Sequence, residues 1–307
     1  MAWAWDAPSG VYKDHALSSD IRKEAIADVL LMKFVRTEPG YGKGKGASVT
    51  ITRVLKLPLA TKVGETDRLP SGRPAIQTSA VTPSEWGFKL EMTEFEKNLS
   101  HFDITNVWQG LLRDQMALTM DKMIADALKT TPYQFIPVTT GGVFDIVGDP
   151  STQADRNLNV DDLRLIHDRL RATLKVPMFR GGRYVGVLST KAARGIKNDP
   201  EYKDWLAPST SEPFRSGKLA SVEGFDLFET NATDSLVENL GASSILGEAL
   251  FFGADPGFLA VVANPELRAG LPEDLGRFRQ VGWVGTLEAG LSWPNAAQAR
   301  VIHVTSS

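Results

Sequence analysis

Seventeen residues that cannot build a core of their own, PLATKVGETDRLPSGRP (58–74), lie between two strand-like stretches. Before them, in SVTITRVLKL (48–57), Val49, Ile51, Leu55 and Leu57 fall on one side of a period-two alternation and Ser48, Thr50, Thr52 and Lys56 on the other. The chain returns through AIQTSAVT, Ala75 to Thr82. Pro58, Pro70, Pro74, Gly64 and Gly72 punctuate the polar, charge-mixed segment between. The pattern is a hairpin from Ser48 to Thr82 with a long irregular tip. Two strands are marginal alone, so such an arm needs support from elsewhere.

The arm is preceded by GYGKGKGAS, Gly40 to Ser48, which invites comparison with a phosphate-binding loop. Such a loop follows a strand and opens a helix, whose free N–H groups and dipole attract the anion. Here Lys45 stands where GxxxxGK[ST] requires its late glycine, and only Gly42, Gly44 and Ala47 fit the looser GxGxx[GA] spacing. The order is also reversed, because SSDIRKEAIADVLLMKFV before TEPG has helical period and a strand follows. Gly40, Gly42, Gly44 and Gly46 therefore read first as a hinge at the hairpin's base, with nucleotide binding as the rival.

At 307 residues and 42% hydrophobic composition, the chain can bury a substantial core. It has no apolar run of membrane-spanning length, and MAWAWDAPSG has neither a basic n-region nor an apolar h-region, so neither membrane insertion nor export is expected. With no cysteine, disulfides, thiolate metal sites and a cysteine nucleophile are excluded. The net charge of −3 is unevenly distributed: residues 199–307 carry 7 Lys+Arg against 15 Asp+Glu, leaving 27 against 22 in residues 1–198. No concentrated basic stripe suggests a reader of duplex DNA.

NVWQGLLRDQMALTMDKMIADALK, Asn106 to Lys129, gives the clearest helix, about 36 Å long at 1.5 Å per residue. Trp108, Leu111, Leu112, Met116, Met120, Met123, Ile124 and Ala127 form its apolar stripe, with Asp114, Asp121, Lys122 and Lys129 elsewhere. A second helix is capped by Asn159 and ends before Pro177. A strand through Val185 and Val187 leads into a helix starting at Ser189 or Thr190, and short strands alternate with turns through the acidic last third. The mixture lacks the steady βαβ rhythm of a doubly wound sheet, which makes the chain α+β.

No catalytic constellation emerges. Ser189, Thr190 and Lys191 could form an anion site at a helix start, but a cap explains them equally. His15, His101, His167 and His303 have no metal-ligand spacing, and Glu94 with Glu96, or Asp161 with Asp162, suit a solvated face or a cap. No cofactor, metal or catalytic residue is expected.

Taken in order, these parts resemble the major capsid proteins of tailed double-stranded-DNA bacteriophages. The likeness is best in VTPSEWGFKLEMTEFEKNLSHFD followed by LLRDQMALTMDKMIADAL, similar to the entry to that family's spine helix, and in GRYVGVLSTKAARGIKNDPEY, similar to its central A-domain. GFDLFETN and RFRQVGWVGTLEAGL extend it over most of the chain. The resemblance implies an HK97-like fold with an N-terminal arm, first helix and glycine hinge over 1–47, an E-loop hairpin over 48–82, and a P-domain with the spine helix over 83–150. An A-domain over 151–270 and terminal strands over 271–307 returning to the P-domain complete it.

The same resemblance implies a structural, non-enzymatic protein that self-assembles through hexamers and pentamers into an icosahedral shell enclosing phage DNA. Lys62, Glu65, Asp67, Arg68 and Arg73 at the E-loop tip would contact neighbouring subunits. Further implied partners are a separate scaffolding protein, since fewer than fifty residues precede the hairpin, a portal protein, and a decoration or cement protein, with non-specific contact to packaged DNA. The expected location is the virion capsid, assembled in the host bacterial cytoplasm. An encapsulin-type compartment shell shares the architecture and stays open as a second reading, with a nucleotide-binding enzyme using Gly40–Gly46 as a third.

Overall fold

The computed structural model describes residues 27, 29–39, 48–65, 68–99, 104–145, 153–179, 181–206, 221–271 and 273–306. The glycines Gly40, Gly42, Gly44 and Gly46, together with Asp67, His15 and His101, lie outside the described residues. Two sheets and one long helix organise the rest. The first sheet has four strands in the order β1 (Arg36–Pro39), β10 (Gly257–Ala269), β11 (Phe278–Leu291) and β4 (Ser84–Thr93). The second has six, in the order β6 (Val143–Asp145), β5 (Gln134–Ile136), β12 (Val301–Val304), β9 (Ala249–Phe252), β7 (Tyr184–Ser189) and β8 (Phe225–Thr230). The strands β2 (Val49–Val54) and β3 (Ile76–Val81) pair antiparallel as a separate hairpin, with Val49 opposite Val81 and Val54 opposite Ile76. A short helix, α1 (Glu94–Leu99), follows β4 directly.

Helix α2 (Ile104–Lys129) falls where a helix is expected from Asn106 to Lys129 and links the two sheets, burying Leu112, Met120, Met123 and Ile124 of the expected stripe. Toward its start, Leu112 packs with Val281 and the fully buried Trp283 of β11, whose indole N–H donates to Gln115 at 2.5 Å. Toward its end, Met120, Met123, Ile124 and Leu128 join Leu259 and Leu287 of the first sheet and Val187, Leu250, Phe252 and Val301 of the second in one core. A further core lies on the other face of the six-stranded sheet, where α3 (Val160–Asp168) buries Leu163 and Ile166 against Phe225 and Phe251.

Helix α3 carries the Asn159 cap in full: its side chain accepts the Asp162 N–H, and Asp162 accepts the Asn159 N–H in return. A π-helical turn, Arg169–Thr173, continues it. The turn from β7 into α4 (Thr190–Asn198) is capped by Ser189, and α5 (Pro200–Leu206) follows before β8 returns parallel to β7.

Several expectations are corrected. The helical period before TEPG ends, in the described residues, in a 3-10 turn at Leu31–Lys33, and TEP belongs to a strand that pairs parallel with Phe258–Val261. Tertiary pairing overrides local period there, and the Asp121 carboxylate takes the Leu31 N–H at 2.8 Å. Asp121, set apart from the apolar stripe by its charge, is therefore buried, while Leu111 within that stripe is 42% exposed. Asp162, where the sequence suits a solvated face or a cap, takes the capping role and is nevertheless fully buried, with Arg156 clamping both its oxygens at 2.5 and 2.7 Å.

Sheet membership also cuts across the divisions drawn at 150 and 270. Strands β5 and β6 join the six-stranded sheet, β10 joins the four-stranded one, and of the two terminal strands only β11 lies in that sheet, β12 sitting within the other. Period-two alternation identifies a strand but not its partner.

These packing differences set a contrast. Leu112→Ala should cost about 2–5 kcal/mol by leaving a cavity beneath Trp283, whereas Leu59→Ala, 94% exposed on the hairpin tip, should change stability by less than about 0.5 kcal/mol. Urea unfolding of the two variants measures both.

Candidate functional site

The hairpin is rooted by a small apolar contact and then leaves the body. Val49, with Ile51 and Val81, packs on Phe258 and Ala260 of β10, and the Ser79 hydroxyl donates to the Leu291 carbonyl at 2.8 Å. Val81 comes so near β11 that a Cβ on Gly290 would stand 2.3 Å from its Cγ2, so this root requires a glycine. Pairing ends with the Leu55 N–H on the Ala75 carbonyl. The described part of 56–75 has no helix or strand.

Arg53 occupies the face of β2 that carries Val49 and Ile51, and its side chain is only 11% exposed. Its guanidinium stacks on the Trp293 ring at 5.0 Å, and that of Arg300 stacks on the same ring at 4.4 Å. Asp255 balances the two cations, 3.9 Å from Arg53 and 3.7 Å from Arg300. It also accepts from the Ser292 hydroxyl at 2.9 Å and the Trp293 indole N–H at 3.3 Å, and holds a left-handed φ of 55°. Arg53 Nη1 is buried with no hydrogen-bond partner, so stacking and charge fix the side chain. This cluster anchors the outer end of β2 to the body.

Along the tip, Lys62, Glu65, Arg68 and Arg73 are exposed, as the sequence suggests. The same segment also presents apolar side chains that the charge-based reading passed over: Leu59 at 94% and Leu69 at 81%, with Val54, Leu57 and Ile76 each more than half exposed. The signal was available, since leucines in a segment with no core of its own have nowhere to bury within it.

The other residues singled out have structural employment. Ser189 accepts the Ala192 N–H as a helix cap, and Lys191 is tied to Asn239 at 2.6 Å and to the Ser244 carbonyl. His167 packs edge-on against Tyr184 and Phe225. Among the described residues no group of His, Cys, Asp and Glu could hold a metal, and no helix is long and apolar enough to cross a membrane.

His303 belongs to a network that sequence spacing hides. Glu248, 6% exposed, accepts from Lys129 at 2.5 Å, from His303 Nε2 at 3.0 Å and from the Val237 N–H at 2.6 Å, which ties the end of α2 to β12 and to the approach to β9. Burial pushes the Glu248 carboxyl up, but the hydrogen bonds and charges of His303 and Lys129 outweigh it and hold the pKa down to about 2. A depressed carboxylate contributes stability above its unfolded value of 4.5 and loses it as pH falls toward 2. The loss should be on the order of 3 kcal/mol. Glu248→Gln should lower stability at neutral pH and flatten the acid limb of unfolding curves followed by circular dichroism.

No protein-family model matches the sequence, and no curated protein does. Solved structures do. The chain is similar to "Cyanophage Pam1 capsid asymmetric unit" at 16% identity and a TM-score of 0.72, covering 100% of this chain and 99% of that one. It is similar to "Acidic stable capsid structure of Helicobacter pylori bacteriophage KHP30" at 14% identity and 0.69, covering 97% of each. For "Capsid of Ralstonia phage GP4" the values are 13% and 0.69 over 98% of each chain. Identities this low speak for the backbone alone, and on that ground the chain has the α+β, HK97-like fold of the matched phage capsid structures.

Proposed function

We propose that this chain is a structural major capsid protein, which self-assembles into the closed icosahedral shell of a tailed phage around its double-stranded DNA. One observation carries the reading: a hairpin held to the body by Val49 at its root and by Arg53 at the outer end of β2 projects a tip whose leucines and whose charges Lys62, Glu65, Arg68 and Arg73 stand exposed among the described residues. On a fold shared along its whole length with phage capsid structures, such an arm is suited to a neighbouring subunit. Repeated heterologous contacts that close produce a symmetric shell of hexamers and pentamers.

In this reading Lys62, Glu65, Asp67, Arg68 and Arg73 form the charged rim of the arm's contact and Leu57, Leu59 and Leu69 its apolar centre. The glycines from Gly40 to Gly46 act as the hinge that lets the arm change angle as the shell matures. A scaffolding protein, a portal and a decoration protein are the further partners, and packaged DNA is contained without being read. The protein works in the virion capsid after assembly in the host cytoplasm, and no enzymatic step is assigned to it.

Electron microscopy of the overexpressed chain with scaffolding protein supplied should show closed particles; a stable monomer under those conditions would overturn the reading. Removing Ala60 to Arg73 and closing the gap with a short turn should leave the thermal midpoint of the subunit nearly unchanged. Loop closure varies by only about 0.6 kcal/mol per doubling of length. The shortened chain should nevertheless form no shells, and normal shells from it would remove the hairpin from the assembly contact.

A further inference from the structure

Where β2 ends, the hairpin and the body enclose a cleft of about 430 Å3. Residues 54–56 line it from the hairpin. From the body it is lined by residues 173–177, which leave the π-helical turn, and by Trp293, Gln298 and Arg300 ahead of β12. Such a volume is ordinary for a site that takes a small molecule.

Every charged residue that lines the cleft is a cation: Lys56 on the hairpin, Lys175 and Arg300 on the body. The two lysines are exposed, and among the described residues neither meets a carboxylate at ion-pair distance. Arg300 is largely buried and shares Asp255, at 3.7 Å, with Arg53 at 3.9 Å. Two guanidiniums against one carboxylate leave a positive charge uncompensated, to which the lysines add. Burial holds the Arg300 guanidinium below its ordinary value; Asp255 offsets part of that and Arg53 adds to it, so an anion here would favour the charged form. A cleft lined by one sign of charge also concentrates counter-ions between its low-dielectric walls. Lys175 holds a left-handed φ of 51°, which glycine would adopt without strain, so its ammonium is kept at the cleft on a backbone conformation unfavourable to any side chain.

We infer that this cleft binds a small multivalent anion of the polyphosphate class, held by Lys56, Lys175 and Arg300. Its several charged oxygens accept charge-assisted hydrogen bonds from cations on separate elements, which a single monovalent ion cannot do. Lys56 belongs to the hairpin and the other two cations to the body, so the bound anion ties the two together just beyond the Leu55 N–H on the Ala75 carbonyl, where pairing ends. Without the anion the lysines repel each other across the cleft; with it they are drawn to a common centre, and occupancy sets how firmly the outer end of β2 is held. Binding of this kind requires only the subunit, whether or not it assembles.

Titration calorimetry of tripolyphosphate into the purified, unassembled chain tests the site. Binding should be seen, should weaken about tenfold in Lys56→Gln and in Lys175→Gly, and should persist in Lys203→Gln, an exposed lysine elsewhere. Glycine suits the left-handed position, so the Lys175→Gly subunit should melt as the parent does without ligand, which separates lost binding from lost fold. In hydrogen exchange, tripolyphosphate at ten times its Kd should slow two amides by about tenfold: Leu55 on the hairpin, and Val176, which donates to the Leu170 carbonyl, on the body. No binding, or binding that both variants leave unchanged, would overturn the site. An equal response to sulfate at matched ionic strength would reduce it to screening and overturn it likewise. Slowing on one side only would overturn the tie between hairpin and body. Binding of a short DNA duplex but not of tripolyphosphate would give these cations to nucleic acid and overturn the small-anion assignment. None of these results bears on the shell reading, which particle formation tests separately.

Discussion

Everything in this subunit depends on α2 having two surfaces to cover. A single-sheet partner would bury one stripe along the helix, but here Leu112 faces Trp283 and Val281 while Ile124 and Leu128 reach a core shared by both sheets. The helix is thus a beam across the joint, and the sheets are held relative to each other by apolar burial, the largest favourable contribution in such a fold. Polar groups reinforce the joint from inside. Asp121 fixes the chain entering β1 through the Leu31 N–H and also takes the Ser235 hydroxyl from the segment after β8, and Lys129 closes the far end on Glu248. Removing one partner from either group would strand a charge in a dry interior, which makes these contacts specific as well as stabilising.

The periphery is organised on the opposite principle. Where the body buries carboxylates and satisfies them, the hairpin and the β4 rim leave leucine and phenylalanine in water. Isolated exposed apolar side chains are ordinary, and several on an arm that has left its own core are what the proposed contact with a second copy would cover. The Arg53, Trp293, Arg300 and Asp255 cluster stands between the two regimes, holding the outer end of β2 by stacking and charge rather than by deep burial.

Much of this was legible in the residues, and the omissions have physical causes. The helix from Asn106 to Lys129 declared itself because a long apolar stripe leaves little choice of conformation, and Asn159 announced its helix because caps are local chemistry. Strand β1 was hidden, since four residues carry little period and its parallel partner lies more than two hundred residues away. The burial of Asp121 and Asp162 was hidden, because burial of a carboxylate depends on its partners, although a cap was among the readings open for Asp162. The Glu248 and His303 pair, 55 residues apart, has no spacing signature at all. At the tip, attention to lysine and arginine obscured the leucines, which the fold leaves exposed beside them.

The sheet order has a consequence in time. Strand β12 pairs parallel with β5 from the far side of the chain, and β1 pairs parallel with β10, so neither sheet closes through neighbours in sequence. Long-range parallel pairing pays its loop-closure entropy before any contact rewards it, and such topologies fold slowly. On the proposed shell reading a subunit folds before it is added to a particle, so slow closure of the sheets sets a lower bound on the time each subunit needs. Until the sheets close, the core residues they will bury, Phe225, Phe251, Phe252 and Trp283 among them, are open to other unfinished chains.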